Sequence, residues 1–245
     1  MKNSVKIILI ILILPFIKTG AQTFGFGCLG LSGFYAGVTQ QYYDTPGLTE
    51  YLNSPILFSN SSSTIEFKRG TGYRVGANLF RAKFDFLFLT AKGYYQFLKE
   101  THERENNLVD NSKDKFELSM NHWGVGLDFG VPLFSILDWK VVEGAVTFYN
   151  SDFTEENIDE NGEQVSEKKY SLDKTKLGYY VGSGLILHLV PDYISVEATA
   201  GFNFIDIERF TSKDGLSIPA LSSTSKAVNK GGFSATVQLN VGFPL

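Results

Sequence analysis

Residues 176–207 constrain the fold of this chain more than any other stretch. They form two long runs in which apolar side chains alternate with polar or small ones, joined at Val190-Pro191-Asp192. Strict alternation with a period of two predicts β-strands that have one apolar and one polar face. An ordinary strand averages about 5–6 residues, and these runs are more than twice as long. Such length is typical of tilted strands that cross a bilayer and extend beyond it.

The two faces of the first run differ clearly in character. One face is almost entirely aliphatic or aromatic, with Leu177, Tyr179, Val181, Ser183, Leu185, Leu187 and Leu189. The other face holds Gly178, Tyr180, Gly182, Gly184, Ile186 and His188. The second run repeats this separation, with Val196, Ala198 and Ala200 opposed to Glu197 and Thr199. We therefore expect one face of each strand to meet an apolar environment.

Six further segments carry the same alternation, at residues 32–43, 71–81, 84–99, 116–131, 139–150 and 231–243. With the hairpin above they predict eight strands. Their connections alternate between long polar loops and short links. The predicted long loops are residues 44–69, 100–115, 151–173 and 208–230, and the short links lie at Ala82-Lys83, residues 132–138 and residues 190–192. Outer-membrane barrels of bacteria have this asymmetry of short periplasmic turns and long extracellular loops.

The predicted fold is all-β: an eight-stranded antiparallel up-and-down transmembrane β-barrel. The alternative is a soluble lipocalin-like barrel, which has an apolar interior around a ligand and a polar exterior. Here the glycines lie mostly on the polar face of each run, and the opposite face is continuously apolar. An apolar exterior of that size would aggregate in water, which favours the membrane barrel.

The N-terminus predicts export from the cytoplasm. A basic start, an apolar run at residues 7–17 and small residues up to Ala21 are typical of a secretory signal peptide. The apolar run is shorter than the roughly 20 residues that a spanning helix needs. We therefore expect a cleaved signal peptide at residues 1–21 and a barrel domain at residues 22–245. Cys28 raises a lipoprotein alternative, but it lies well beyond the apolar run.

With these features the chain resembles the small outer-membrane barrels of Gram-negative bacteria, in particular the OmpA transmembrane domain, OmpX and OmpW groups. The resemblance covers residues 22–245 and rests on architecture. Many such proteins end on an aromatic residue that the assembly machinery reads. Here Pro244-Leu245 follow Phe243, which departs from that pattern. The resemblance implies location in the cell outer membrane and contact with outer-membrane lipid and lipopolysaccharide.

The polar face carries the candidate site of the molecule. Its ionisable side chains are Arg74, Lys92, Asp128, Glu143, His188 and Glu197. Unpaired charges inside a narrow barrel are costly, and eight strands leave an interior only wide enough for side chains. We expect these residues to form a packed polar network that fills the lumen. A polar track or gate for ions is the alternative.

Several classes of function are disfavoured. The formal net charge of −4 argues against nucleic acid as a partner. Some outer-membrane barrels of this size acylate or deacylate lipid A, but Ser119 and His122 have opposite parity on one strand and face opposite ways. No zinc or phosphate-loop pattern is present in the sequence. We expect no enzyme, no cofactor and no metal, although a cation site in the acidic residues 151–173 is an alternative.

Two functions remain open at this point. The first is a structural or surface-interaction role, in which the extracellular loops contact protein or glycan partners. The second is a narrow, porin-like channel for small solutes or apolar compounds. Defined single-channel conductance steps would favour the channel, and loop-mediated binding without such steps would favour the interaction role.

Overall fold

The computed structural model describes residues 22–24, 32–54, 64–84, 86–106, 112–191 and 193–242. The predicted signal peptide and Cys28 lie outside the described residues. The strands are β1 (Gln22–Phe24), β2 (Gly33–Tyr42), β3 (Arg69–Lys83), β4 (Phe88–Asn106), β5 (Ser112–Phe134), β6 (Leu137–Ile158), β7 (Gln164–Ser171), β8 (Lys176–Val190), β9 (Ile194–Phe204), β10 (Phe210–Ser212), β11 (Ser217–Ile218) and β12 (Phe233–Gly242). The helix α1 spans Pro46–Leu52.

Eight of these strands form a closed ring in the order β2-β3-β4-β5-β6-β8-β9-β12. Every neighbouring pair is antiparallel, and β12 closes the ring on β2 in a register that runs from Ser234↔Gln41 to Gly242↔Gly33. Closure pairs each ring strand on both sides, which satisfies the backbone hydrogen bonds within the barrel. The predicted eight-stranded antiparallel up-and-down barrel is confirmed.

The faces of the ring strands are also as predicted. Val237 is 50% exposed, whereas its neighbour Gln238 is 3% exposed. The exposed outer belt is apolar on every ring strand and includes Phe34, Val75, Phe97, Leu127, Val142, Val181, Phe202 and Leu239. A continuous apolar exterior is unstable in water and is stabilised by lipid. The barrel therefore spans a membrane with this belt.

The short connections share one end of the barrel, here called the turn end. Ala82-Lys83 does not form the first link, as the sequence analysis predicted, but belongs to β3. The chain turns after it, where the Phe84 amide donates to the Leu87 carbonyl at 2.8 Å. A β-bulge between Asn78 and Phe80 shifts the β3–β4 register and moves the turn along the chain.

The opposite end, here called the loop end, contains more strand than predicted. Residues 100–115 and 151–173 were expected to be loops, and this was wrong. The strands β4, β5 and β6 continue through most of them, and β7 turns back along β6. Together the ends of β4, β5 and β6 with β7 form a four-stranded sheet, here called the outer sheet. The alternation of buried and exposed side chains continues into this segment, since Ser151 and Phe153 are buried on either side of Asp152. The many acidic residues concealed this pattern in the sequence.

Charge pairs across neighbouring strands stabilise the outer sheet. Lys115 Nζ lies 2.8 Å from Glu156 Oε2, and Lys169 Nζ lies 3.1 Å from Asp152 Oδ2. Opposite charges on adjacent strands stabilise a sheet by a few tenths of a kcal/mol up to about 1 kcal/mol each. The acidic stretch is therefore ordered strand whose charges are partly paired.

The other two predicted loops fold back over the loop end as a cap, defined as residues 43–54, 64–68 and 205–230. Its core is apolar and contains Leu48, Leu52, Ile65, Phe67, Ile207, Phe210, Ile218 and Val228, packed on Phe116, Leu118 and Phe153 of the outer sheet. The Gly47 amide donates to the Lys226 carbonyl at 2.8 Å, and the Arg104 guanidinium donates to the Leu52 carbonyl at 2.8 Å. The cap thus covers this end of the barrel with its described residues. Among the described residues, no helix is long and apolar enough to cross a membrane.

Candidate functional site

An ion network occupies the middle of the lumen. It contains five of the six side chains singled out from the sequence, namely Arg74, Lys92, Asp128, Glu143 and Glu197. The Lys92 ammonium lies 3.0 Å from Asp128 Oδ1 and also contacts Glu143. Arg74 Nη1 lies 3.7 Å from Glu143 Oε1. The strands β3, β4, β5, β6 and β9 each supply one of these residues, so the network ties most of the ring together.

Lys140 is the residue of the network that the sequence analysis missed. Its ammonium lies 2.9 Å from Asp128 Oδ2 and 3.0 Å from Glu143 Oε2, and it also contacts Glu197. Simple alternation puts Lys140 and Glu143 on opposite faces of a strand. A β-bulge between them shifts the register, since Phe129 pairs with Val142 and Gly130 pairs with Lys140. Both side chains therefore enter the lumen.

The positive and negative charges of the network balance one another in an interior that is largely inaccessible to solvent. Three cations face three carboxylates, and each of the six side chains is at most 8% exposed. Buried ion pairs are stable only when good geometry and further hydrogen bonds offset their desolvation. Arg74 meets this condition, since its Nε donates to Gln96 Oε1 at 2.8 Å and its guanidinium lies 4.5 Å from the centroid of the Tyr94 ring.

Tyrosine side chains fill the lumen around the ions. Tyr35, Tyr94 and Tyr180 are each at most 5% exposed and form a buried cluster. The lumen glycines make room for them, because a Cβ at Gly124 would lie 2.5 Å from Tyr94 Cζ. A small barrel needs such pairs of small and large residues to pack its interior.

Asp128, Glu143 and Glu197 are also the described residues best placed to hold a metal ion. Their carboxylate oxygens converge within 4.8 Å of one another. Hard cations use several carboxylates in this way. Here the ammonium groups of Lys92 and Lys140 contact the same carboxylates. Together with Arg74, the two lysines thus neutralise the cluster from within the chain.

Comparison with known proteins gives a likeness in fold. No protein-family model and no curated protein matches the chain in sequence. Ail of Yersinia pestis, in complex with the heparin analogue sucrose octasulfate, is similar at 12% identity with a TM-score of 0.41, over 87% of this chain and 99% of that one. Neisserial surface protein A is similar at 14% identity with a TM-score of 0.42, over 87% of this chain and 99% of that one. The outer membrane protease OmpT from Escherichia coli is similar at 8% identity with a TM-score of 0.38, over 91% of this chain and 96% of that one.

The class of the molecule follows from its own geometry: a closed antiparallel ring, an apolar outer belt and a polar lumen. The chain is a small outer-membrane β-barrel protein. Closed antiparallel barrels with short turns at one end and longer connections at the other occupy the outer membrane of Gram-negative bacteria. The turn end therefore faces the periplasm, and the outer sheet and cap lie outside the cell.

His188, the sixth side chain singled out from the sequence, lies apart from the ion network. It sits at the periplasmic end of the barrel, where its Nε2 is 2.8 Å from Asp138 Oδ2. Arg81 Nη2 lies 3.4 Å from the same carboxylate oxygen. Neither Asp138 nor Arg81 was predicted from the sequence to face the lumen. Asp138 was read as part of the short link, and the bulge in β3 conceals the inward direction of Arg81.

Ser119 and His122, the pair considered for catalysis, point to opposite faces of β5, as their positions in the alternating pattern predict. His122 is fully buried in the lumen, with its ring centroid 4.3 Å from that of Tyr149. Ser119 is partly exposed, and its hydroxyl donates to Glu117 Oε1 at 3.5 Å. The outer-membrane barrel thus does not bring these two residues together as a nucleophile and base.

Proposed function

We propose that this protein acts at the cell surface as a structural and interaction barrel with a closed lumen, whose extracellular part contacts partners. The observation that carries the proposal is the double closure of the interior. The ion network fills the middle of the lumen, and the apolar cap covers its outer end. A barrel blocked in this way presents its surface, rather than its interior, to other molecules.

The outer sheet is the part of this surface best suited to contact partners. Residues 160–169, which include most of β7, are exposed throughout, and Val165 is 66% exposed. β7 pairs with β6 along its length and with β10 only at Tyr170 and Ser171. Among the described residues, the rest of β7 therefore has no strand partner on its other edge. A bulge at Val165 and two adjacent lysines limit the addition of a further strand to this edge. Protein or glycan partners would therefore be contacted through side chains.

Lipid and lipopolysaccharide are the partners proposed for the belt. A groove of about 1150 Å³ crosses the outside of the barrel and has Tyr73 and Phe97 among its apolar lining. Arg69 and Lys99 line the same groove nearer the extracellular end. Acyl chains suit the apolar part, and the phosphate groups of lipopolysaccharide suit the basic part.

The proposal includes no enzymatic activity. On the extracellular side, His102 and Glu100 form a histidine–carboxylate pair, with 2.9 Å between His102 Nε2 and Glu100 Oε1. The same carboxylate accepts hydrogen bonds from two cap residues, the Tyr43 hydroxyl at 2.7 Å and the Lys68 amide at 3.0 Å. These bonds join the cap to β4, so we assign the pair a role in bracing the cap.

Export belongs to the proposal as well. Residues 1–21 would be removed as a signal peptide, and residues 22–245 would form the mature barrel. Mass spectrometry of protein from outer membranes should find Gln22 at the N-terminus. Retention of residues 1–21 in the mature protein would contradict this part of the proposal.

Conductance in planar bilayers tests the closed lumen. The refolded wild-type protein should produce no defined single-channel steps, and a variant in which a two-residue turn replaces residues 159–163 should behave identically. The same shortened variant should lose binding of cells to partner surfaces if the β6–β7 turn at the tip of the outer sheet makes the contacts. Unchanged binding by the shortened variant would contradict a contact role of this turn.

A narrow channel is the second candidate function. It is favoured by the polar lining of the lumen beyond the ion network, which includes buried Thr39, Thr199, Gln238 and Asn240. A rearrangement of the network would then connect polar layers along the barrel. Reproducible conductance steps in the wild-type protein would support the channel and overturn the closed-lumen proposal.

A further inference from the structure

A small cavity lies at the periplasmic mouth of the barrel, below the ion network. It has a volume of about 50 Å³, and its lining comes from the ends of β2, β3, β8, β9 and β12. This volume is sufficient for one or a few waters, or for a small ion. The cavity is separate from the extracellular surface to which we assign the interaction role.

The ionisable residues that line this cavity are Arg81, Lys83 and His188, and no carboxylate of the described residues belongs to the lining. Asp138 lies behind them and contacts Arg81 and His188 through its Oδ2. The Asp138 carboxylate thus contacts both Arg81 and His188, while Lys83 forms no ion pair among the described residues. Among the described residues, the mouth therefore carries more positive than negative charge.

The ion network above cannot neutralise this excess, because its three cations and three carboxylates already balance one another. Arg81 and Lys83 are partly exposed at the mouth, and two cations with one carboxylate beside them favour the binding of an anion. The charge of the mouth does not depend on the proposed surface role.

Neutral donors complete the lining of the cavity. Ser32, Ser195 and Asn240 are each 7% exposed and contribute to it. Asn240 Nδ2 donates to Ser195 Oγ at 3.3 Å, which leaves the Ser195 hydroxyl hydrogen available to another acceptor. Cationic groups together with hydroxyl and amide donors are the chemistry that proteins use to hold anions.

We infer that the periplasmic mouth is a binding site for one small inorganic anion, in the size range from chloride to phosphate. Lys83 supplies a positive charge that forms no ion pair among the described residues, and Arg81 and Ser195 supply further donors. The bound anion balances this charge and links the ends of β3 and β9. It is a site of the barrel interior, reached from the periplasm.

Bromide is the probe for locating the site. Crystals of the full-length folded protein soaked in bromide should show an anomalous difference peak in the cavity between Lys83 and His188. Crystals of Lys83→Met should lack that peak, while retaining any peaks at exposed lysines. A wild-type cavity without a peak, or a peak that persists in Lys83→Met, would overturn the inference.

Phosphate provides an independent measurement in detergent at constant ionic strength. It should raise the thermal unfolding midpoint of the wild-type protein, and Lys83→Met should weaken the apparent affinity for phosphate roughly tenfold or more. The control Lys174→Met changes an exposed lysine outside the cell and should retain the wild-type response. Heat-modifiable migration on SDS gels verifies that each variant is folded. Equal responses of the two variants would mean that phosphate does not act at this mouth.

Discussion

Lys140 and Glu143 are three residues apart on β6, yet both point into the lumen and form an ion pair of 3.0 Å. The bulge between them makes this geometry possible, since it places Lys140 opposite Gly130 and Val142 opposite Phe129. Lys140 consequently reaches three carboxylates from one strand. A local irregularity of one strand thus completes the charge balance of the ion network.

Removal of Lys140 should be strongly destabilising. Lys140→Met leaves Asp128, Glu143 and Glu197 with two cations in a site that is nearly inaccessible to water. Breaking a buried ion pair by removing one partner costs about 3–5 kcal/mol. The free energy of unfolding, measured by urea titration of the barrel in lipid vesicles, should fall by that amount.

Lys99→Met is the matched control for Lys140→Met. Lys99 also pairs with a glutamate, Glu117 at 2.5 Å, but its side chain is 56% exposed on the outer surface. An exposed pair contributes about 0–1 kcal/mol. Similar losses for the two variants would show that the lumen pairs are not desolvated. The double variant Lys140→Met/Glu197→Gln should recover part of the loss, because it removes an unpaired carboxylate.

The face assignment gives a second prediction, at adjacent residues of β12. Val237→Phe keeps an apolar side chain against lipid and should be tolerated, whereas Val237→Arg should cost roughly 2–4 kcal/mol near the membrane centre. Gln238→Phe should also be destabilising, because the lumen at Gln238 is filled and this side chain donates to Asn240. The folded fraction in lipid vesicles measures all three. If Gln238→Phe folded as well as Val237→Phe, the two faces would be interchanged.

The strands and their faces were predictable because alternation is a local property of the sequence. Each period-two run places its own side chains on two faces, whatever the rest of the chain does. The outer sheet and the cap were not predictable in this way. Leu48, Leu52 and Phe67 lie among polar residues in sequence and become a core only when they meet Phe116 and other outer-sheet residues. Their burial is a tertiary effect.

The candidate site divides along the same line. Arg74, Lys92 and Glu197 lie on regular stretches, so parity placed them inside. Lys140 and Arg81 lie next to bulges that shift the register, and no pattern of alternation marks a bulge. An excess of predicted carboxylates was the one available signal. Asp128, Glu143 and Glu197 stood against Arg74 and Lys92, which indicated a missing cation.

The cap should open without unfolding the barrel when its core is weakened. Leu52→Ala removes a fully buried side chain from α1, and such substitutions cost about 2–5 kcal/mol. Hydrogen exchange should accelerate in α1 and at Val228, while amides of β2 and β12 exchange as in the wild type. Leu221→Ala is the control, because Leu221 is 72% exposed in the cap. Accelerated exchange throughout the ring would mean that cap and barrel unfold as one unit.

The last prediction concerns Glu155 at the junction of the outer sheet and the cap. Burial raises the pKa of this carboxyl, while a hydrogen bond from Tyr51 of α1 and the charge of Lys168 act in the opposite sense. With a raised pKa, the folded state binds the proton more tightly than the unfolded state. The resulting stabilisation is full below the unfolded pKa and is lost as the pH rises through the folded pKa. The junction should therefore loosen as the pH increases from about 4 towards neutrality.

Glu155→Gln should remove this pH dependence, because glutamine stays neutral and still offers an oxygen to Tyr51. Above the folded pKa the variant should be more stable than the wild type at the junction, and below the unfolded pKa the two should converge. Hydrogen exchange of β7 and α1 across this pH range provides the measurement. Glu156→Gln is the matched control on the adjacent position, where it removes the pair with Lys115 and should change stability by at most about 1 kcal/mol. A wild-type junction that tightens with rising pH would show that ionised Glu155 is stabilised there, contrary to the desolvation argued from its burial.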